Sequence, residues 1–220
     1  MRIVLLGNLS SNNRMFAECN KYLTAHSYRP MLSTNTLPVH AEAELLVCIG
    51  YSRILKECDW APYKYGAINV HTSLLPKYRG RHPVNWVLIN DEAVTGVTVH
   101  YVDTSIDTGD IILQDSVTID KNDDYNTLTD KLIECAKPLL LSAVQQIDTG
   151  CVYRRKQHMI SATDTRRRYP GDSYFPLSLL TDNPRRAVKF INALVDPMPN
   201  AYTYIDGCRV SFKGARRDAV

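Results

Sequence analysis

The chain has 220 residues, of which 45% are hydrophobic and 22% charged, and this length and composition suit one large folded domain rather than a disordered protein. No run of 18 or more apolar residues occurs, so the sequence predicts no membrane span. The net charge is only +3, but residues 1–149 hold 13 Lys and Arg against 17 Asp and Glu, whereas residues 150–220 hold 13 against 6. The modest net charge and the lack of a base-reading motif predict no nucleic-acid partner. The late basic clusters are either solvated surface or an attraction for a phosphorylated substrate.

The cysteines and the first residues bear on the cellular compartment. The six cysteines, at positions 19, 48, 58, 135, 151 and 208, form no Cys-x-x-Cys pair and have no His partner at zinc spacing. The opening segment MRIVLLG is too short for the apolar region of a signal peptide and is followed by polar residues. We therefore expect a cytoplasmic protein whose thiols are reduced and mostly buried.

The first third of the chain alternates between strand and helix patterns. Residues 3–6 form an apolar run that ends at a glycine and predicts a buried strand, and residues 12–25 carry apolar side chains at helical spacing. Residues 30–32 predict a short second strand, and residues 44–49 predict another buried strand. Residues 67–70 predict a short strand in the middle of the chain.

The same alternation continues through the next eighty residues. Residues 83–89 predict a helix with proline in its first turn, and residues 95–102 and 111–119 predict strands. Residues 124–147 predict a long helix, which Pro138 is expected to kink.

Strands alternating with helices predict an α/β fold with an open, mostly parallel, Rossmann-like sheet, in which ligands lie beyond the carboxyl ends of the strands. We expect two parts, a catalytic domain over residues 1–150 and a short C-terminal extension over residues 151–220. In the extension, Asn183 is expected to cap a helix that begins at Pro184, and Asp206-Gly207 suits the turn of a β-hairpin.

Two stretches carry the chemistry. Residues 68–80 read INVHTSLLPKYRG, and residues 103–112 read DTSIDTGDII. Asn69 and His71, two positions apart on an extended segment, project to the same face, and Asp107 is a candidate partner for the imidazole. An amide donor, an imidazole and a carboxylate can catalyse acyl transfer to an amine. Taken singly, Asn69 could cap a turn, His71 could be an interior histidine and Asp107 could belong to a turn.

In order and spacing these residues resemble the folate-dependent formyltransferases. That family shows Asn-x-His-x-Ser-Leu-Leu-Pro-x-(Tyr/Trp)-x-Gly followed by Asp-x-Gly-x-x-Ile, and the similarity covers residues 44–119 well. The matching residues here are Asn69, His71, Ser73, Leu74, Leu75, Pro76, Tyr78, Gly80, Asp107, Gly109 and Ile112.

The resemblance implies 10-formyltetrahydrofolate as donor and an amine as acceptor, with a formyltransferase-type sheet. It implies that Asn69 and a protonated His71 hold the oxyanion while Asp107 favours the imidazolium, and it suggests a cis Leu75–Pro76 bond. The pterin is expected against two loops, which contribute Arg53, Ile54, Leu55, Val102, Asp103 and Ile106. We expect no metal, because the remaining histidines match no standard zinc spacing.

Among the branches of the family, the nucleotide-sugar N-formyltransferases are most similar, through Arg167-Arg168-Tyr169-Pro170 and the helix-plus-hairpin extension. The best acceptor is then a dTDP-linked 4-amino-4,6-dideoxyhexose, while UDP- and GDP-linked amino sugars stay open. Its expected contacts are Ser73, Lys77, Tyr78, Arg79 and Tyr202.

Two other functions stay open, and a third is set aside. Glycinamide ribonucleotide transformylase is the first alternative, although residues 7–12 lack the second glycine of its phosphate loop. A catalytically silent folate- or nucleotide-binding paralogue is the second. Methionyl-tRNA formyltransferase fits less well, because some 70 residues after the catalytic part are too few for its large β-barrel. We expect a homodimer and no membrane partner.

Overall fold

The computed structural model describes residues 1–8, 13–34 and 42–215. Most of the glycine-poor loop at residues 7–12 and the basic pair at 216–217 therefore lie outside the described residues. Ten strands are described in this part of the chain. They are β1 (Ile3–Gly7), β2 (Met31–Thr34), β3 (Leu45–Ile49), β4 (Ala67–His71), β5 (Arg79–Gly80), β6 (Val94–Tyr101), β7 (Ile111–Thr118), β8 (Asp164–Thr165), β9 (Ala201–Ile205) and β10 (Cys208–Phe212).

Six of these strands form one sheet in the order β2-β1-β3-β4-β6-β7. The β1–β2, β1–β3 and β3–β4 pairs are parallel, whereas β6 runs antiparallel to both of its neighbours. The predicted α/β class and mostly parallel sheet are confirmed. The alternation of strands and helices does not predict the reversed direction of β6. At this point the alternation breaks, because a loop and not a helix joins β6 to β7.

Most helices pack against the main core of this sheet, whereas Trp60 of the short second helix packs in a separate, smaller apolar cluster. The described helices are α1 (Arg14–Ala25), α2 (Glu57–Trp60), α3 (Pro83–Ile89), α4 (Tyr125–Asp148), α5 (Leu179–Asp182) and α6 (Pro184–Asn192). Helix α4 continues through Pro138 as a single 24-residue element. The short α2 and α5, and the 3₁₀ turns at Met159–Ser161 and Pro170–Ser173, have too few residues to show a helical period in the sequence.

Alternate residues of β4 face opposite sides of the sheet. Ile68 and Val70 enter the main core together with apolar residues of α1, α3 and α4. Ala67 faces the other side and packs in a smaller cluster. Because Asn69 and His71 have the parity of Ala67, they project from the side that α1 and α4 leave uncovered.

The C-terminal extension contains the predicted helix and hairpin. Asn183 accepts a hydrogen bond from the backbone of Arg186 (3.0 Å) and so caps α6. Strands β9 and β10 pair in antiparallel fashion around Asp206 and Gly207, whose positive φ angles of 48° and 77° fit the expected type I′ turn.

Contacts cross the boundary predicted at residue 150. Strand β5 pairs in parallel with β8 of the extension, and Ile111 forms a bridge with Arg155. The division into two domains stays a prediction, but the two segments share hydrogen bonds close to the catalytic stretches.

The thiols differ from the expectation. All six cysteines are free, but Cys58, Cys151 and Cys208 are exposed and only Cys19 and Cys48 are buried. The exposed three lie in a short helix, a connection and the hairpin, where the chain has little core to cover them. In the described part of the chain, no helix has the length and apolar character needed to cross a bilayer.

Candidate active site

Strand β4 delivers the first two predicted catalytic residues. Asn69 pairs across the sheet with His100 of β6, and His71 is the last residue of β4. After β4 the chain turns through a cis Leu75–Pro76 bond, as the resemblance suggests. This turn returns the carbonyl of Tyr78 to the imidazole, at 2.8 Å from Nε2.

The third residue, Asp107, comes from the loop between β6 and β7. Its backbone has a positive φ of 52°, and its carboxylate accepts a hydrogen bond from the backbone N–H of Gly80 (2.8 Å). The same carboxylate lies 3.5 Å from Nδ1 of His71, and Asn69 Nδ2 lies 3.4 Å from its other oxygen. The structure thus brings the three predicted residues together, although Asp107 is 36 positions from His71 in the sequence.

The position of this loop requires a glycine at residue 109. A Cβ built on Gly109 would collide with the carbonyl oxygen of Tyr101. The backbone of residue 109 lies this close to Tyr101 because Tyr101 N–H donates to the carbonyl of Asp110 (2.9 Å). This hydrogen bond joins the two ends of the loop, and only glycine fits beside it.

The protonation of His71 differs from the expectation. A carbonyl only accepts, so the contact with Tyr78 means that Nε2 carries the proton and Nδ1 faces Asp107. Burial lowers the pKa of His71, and nearby His100 adds to this; the Asp107 charge and the Tyr78 carbonyl act in the opposite direction without offsetting it. The lowered pKa favours a neutral ring with a free lone pair on Nδ1, whereas the resemblance implies an imidazolium.

Asp107 stays ionised in this setting. Burial alone would raise the pKa of Asp107, but the neighbouring imidazoles of His71 and His100 and the N–H of Gly80 together hold that pKa well below its ordinary value. An ionised carboxylate therefore stands beside a neutral imidazole that can receive a proton.

His100 is a functional candidate that the sequence did not single out for catalysis. Its Nδ1 lies 2.8 Å from the carbonyl of Tyr101 and so carries the proton, which leaves Nε2 to accept from Asn69 Nδ2 (3.2 Å). Nε2 also lies 3.6 Å from Asp107. His100 therefore orients the amide of Asn69. Only the antiparallel pairing of β4 with β6 reveals this, and that pairing has no local signal in the sequence.

Gln157 is a second residue that the sequence gives no reason to select. Its amide Nε2 donates to the carbonyls of Asp107 (2.9 Å) and Gly109 (2.8 Å), and its Oε1 accepts from Arg79 Nη2 (2.7 Å) and Nε (3.1 Å). One glutamine from the extension thus joins both catalytic stretches and holds the loop that carries Asp107.

This geometry agrees with the family comparison. Residues 15–144 match the family model described as Formyl transferase. The chain belongs to the formyl transferase family.

Relatives of this formyl transferase include enzymes with different acceptors. The methionyl-tRNA formyltransferase of Caldanaerobacter subterraneus subsp. tengcongensis is 35% identical over 170 residues, which are 74% of this chain and 52% of that protein. The chain thus spans about half the length of the curated relatives that it matches.

Two solved structures of formyltransferases share the fold. PseJ from Anoxybacillus kamchatkensis, in complex with UDP-4,6-dideoxy-4-formamido-L-AltNAc and tetrahydrofolate, is 25% identical with a TM-score of 0.67, over 88% of this chain and 99% of that one. The N-formyltransferase from Helicobacter canadensis, in complex with folinic acid and dTDP-3-aminofucose, is 19% identical with a TM-score of 0.74, over 94% and 85%.

The two loops predicted to hold the pterin meet in this structure. Leu55 is buried in the smaller apolar cluster, and Val102 packs against that cluster. Ile54 and Ile106, one from each loop, are 65% and 52% exposed. The described residues therefore place two apolar side chains in solvent, one on each loop. Their contact with a pterin stays a prediction.

The polar members of these loops have other surroundings. Asp103 accepts hydrogen bonds from the backbone of Ser105 (3.0 Å) and the hydroxyl of Thr108 (2.7 Å), and so shapes the loop that leads to Asp107. Arg53 is exposed. Neither is placed against a ligand, so their predicted roles remain predictions.

Most residues predicted to contact the acceptor have side chains that point inward. Ser73 is 0% exposed and donates to the carbonyl of Lys77 (2.7 Å). The hydroxyl of Tyr78 donates to Glu92 (2.5 Å), and buried Arg79 makes the bonds described above. Of this group only Lys77 is exposed. Ser73, Tyr78 and Arg79 thus support the turn after β4, and their predicted contact with an acceptor is untested.

Tyr202 lies in an aromatic cluster on the hairpin. Its ring contacts Tyr174 (5.8 Å between centroids) and Tyr204 (5.9 Å), and the guanidinium of Arg209 lies 3.9 Å from the ring centroid. The structure records no contact between Tyr202 and the three catalytic candidates. As for metals, the described residues contain no group of three or more His, Cys, Asp or Glu side chains that could hold an ion.

Proposed function

We propose that this chain transfers a formyl group from 10-formyltetrahydrofolate to a primary amine. The observation that supports this most is the convergence of Asn69, His71 and Asp107, with a neutral imidazole whose free nitrogen faces an ionised carboxylate. Exposed Ile54 and Ile106 beside a buried apolar cluster suit a flat pterin ring, so the residues present fit this donor.

The proposed chemistry assigns one role to each residue. As the amine attacks the formyl carbon, its nitrogen loses a proton to Nδ1 of His71, and Asp107 stabilises the imidazolium that forms. Asn69 donates to the developing oxyanion. The contact of Asn69 Nδ2 with Asp107 is long, at 3.4 Å, and is replaced by a hydrogen bond to the oxyanion. The 3.2 Å contact with His100 keeps the amide of Asn69 in its orientation. His71 then gives the proton to the folate nitrogen as the carbon–nitrogen bond breaks.

We propose a nucleotide-linked amino sugar as the acceptor, with a dTDP-linked 4-amino-4,6-dideoxyhexose as the first candidate. The likeness to PseJ supports this, because PseJ is matched over 99% of its own length and was solved with a UDP-linked formamido sugar. The hairpin that follows α6 and the basic segment at residues 166–168 support it as well.

A second candidate acceptor is methionyl-tRNA. It is favoured by the 35% identity to methionyl-tRNA formyltransferases over about three quarters of this chain. Both candidates present a primary amine to the same three residues, so the catalytic proposal is common to them.

An assay of formyl transfer separates the candidates. The protein would be incubated with 10-formyltetrahydrofolate and, separately, dTDP- and UDP-linked amino sugars, glycinamide ribonucleotide and methionyl-tRNA, and each product would be identified by the mass of one added formyl group. We expect transfer to an amino sugar. Transfer to methionyl-tRNA or glycinamide ribonucleotide alone would overturn the acceptor, and folate binding without any transfer would favour a silent paralogue.

A further inference from the structure

A cluster of positive charge adjoins the catalytic centre through the pairing of β5 with β8. Gly80, whose N–H binds Asp107, pairs with Thr165, and the backbone N–H of Arg81 donates to the carbonyl of Thr165 (3.2 Å). The segments that follow Gly80 and Thr165 therefore begin next to each other. One continues into Arg81 and His82, and the other into three consecutive arginines.

Of those three arginines, the first is neutralised and the third is not. Arg166 forms a two-pronged ion pair with Asp172 (2.7 Å for both contacts). Arg168 donates to the backbone carbonyl of Asp172 (2.6 Å), and its guanidinium lies 5.1 Å from the ring of Trp86 and 5.8 Å from that of Phe190. The carboxylate nearest to Arg168 is thus already engaged, while two aromatic rings hold the guanidinium in place.

Arg81 and Arg167 are also without a carboxylate partner among the described residues. Arg81 donates to the carbonyl of Ser52, in the loop predicted to hold the pterin, and Arg167 lies over the ring of Tyr169 at 5.9 Å. Burial lowers the pKa of His82, and the charges of Arg168, Arg81 and Arg167 lower it further. Three arginine charges are therefore close enough to act on one imidazole.

Two other arginines in the described part of the chain have polar partners elsewhere. Arg185 forms an ion pair with Asp91, and Arg155 bonds to Gln114 (3.1 Å). Like charges gathered without counter-charges cost free energy in the unliganded protein, and a multiply charged anion removes that cost.

We infer that Arg81, Arg167 and Arg168 form a subsite for the diphosphate of the acceptor nucleotide. Guanidinium groups match phosphate oxygens in two-pronged hydrogen bonds, and two linked phosphates offer enough oxygens for three arginines. The subsite begins one residue beyond Gly80, whose N–H binds Asp107, so it adjoins the proposed catalytic residues. This inference rests on the proposed function and names which part of the acceptor is recognised, and where.

Calorimetric titration with dTDP tests the subsite on the full chain. Arg167→Gln removes an exposed charge, and Arg168→Gln retains much of the apolar stem between the two rings. We expect each change to weaken dTDP binding about tenfold or more, as for the loss of a charge-assisted hydrogen bond, while the affinity for tetrahydrofolate stays within twofold. Arg186→Gln, an exposed arginine of α6, is the matched control and leaves both affinities unchanged.

The outcomes separate the subsite from the proposed function. If the wild type binds dTDP and both variants bind it equally well, the subsite is wrong and the nucleotide-sugar proposal survives. If the wild type binds thymidine as tightly as dTDP, the diphosphate is not recognised and the subsite is again wrong. If the wild type binds tetrahydrofolate but neither dTDP nor UDP, whether or not it binds methionyl-tRNA, the nucleotide-sugar acceptor fails and the subsite fails with it. Should Arg168→Gln not fold, Arg167→Gln decides the question alone.

Discussion

His71 shows how burial sets the chemistry of a single residue. Its Nε2–H is fixed on the Tyr78 carbonyl at 2.8 Å, and its Nδ1 points to Asp107 at 3.5 Å. The folded protein lowers the pKa of this ring, chiefly through burial. A neutral base beside a carboxylate is poised to take a proton from an amine, whereas an imidazolium could only donate one.

The lowered pKa of His71 predicts a loss of stability in mild acid. The unfolded chain takes up a proton at this histidine below about pH 6.5, before the folded protein does, so it binds more protons and the free energy of unfolding falls as the pH falls. Each unit of pKa difference contributes about 1.4 kcal/mol. Urea denaturation between pH 5 and 8 measures this loss. In His71→Gln, whose amide can still donate to Tyr78, we expect a flatter dependence over this range. An equally steep fall in the variant would show that His71 is not the group responsible.

Gln157 gives a prediction about a residue that supports the site without touching the acceptor. Replacing it with Ala removes two donors to the Asp107 loop and one acceptor for Arg79. Losing donors to buried carbonyls costs about 1–3 kcal/mol, so we expect a lower melting temperature and about a tenfold lower kcat with little change in the KM for the donor. Gln145→Ala, at an exposed position of α4, is the control. Equal behaviour of the two variants would contradict the positioning role.

The loop between β6 and β7 is the element on which the site depends most. It brings Asp107 back across the sheet, and the close contact of residue 109 with the Tyr101 carbonyl leaves no room for a side chain.

We expect Gly109→Ala to lower the free energy of unfolding by about 1–3 kcal/mol, as overpacking does, and to lower kcat more than it lowers donor affinity. Gly171→Ala is the matched control, because a Cβ there meets no atom within 4 Å. Chemical denaturation and steady-state kinetics of both variants measure the two effects. A Gly109→Ala protein as stable and active as Gly171→Ala would mean that the loop tolerates displacement.

At the scale of elements, the sequence predicts what has a local cause. The helical spacing of α1, the proline at the start of α3 and the Asn183 cap of α6 are signals within a few residues, and each element appears where predicted. The reversal of β6 depends on which strands pair across the sheet, and this has no local signal. His100 and Gln157 escape prediction for the same reason, whereas Asn69, His71 and Asp107 are found because they belong to a long ordered motif.

Over the whole molecule, the extension is joined to the catalytic part by buried and half-buried polar contacts. Asn85 of α3 donates to the carbonyl of Ala193 after α6 (2.6 Å), and Thr163 accepts from the backbone of Tyr78 (2.8 Å). Gln157 adds a third connection. The segment after residue 150 therefore supports the predicted catalytic residues and also carries two of the three arginines that we assign to the acceptor, Arg167 and Arg168.

The most direct test of the account is the single-turnover rate of formyl transfer in Asp107→Asn. The amide keeps an oxygen for the Gly80 N–H but loses the charge that stabilises the imidazolium. We expect the rate to fall on the order of 100- to 1000-fold, the cost of losing one electrostatic contact to the transition state, with tetrahydrofolate affinity within twofold of the wild type. Asp110→Asn, which alters a carboxylate three residues away in the same loop, should keep the rate within about threefold. A rate for Asp107→Asn within a few-fold of the wild type would contradict the assignment of the catalytic centre.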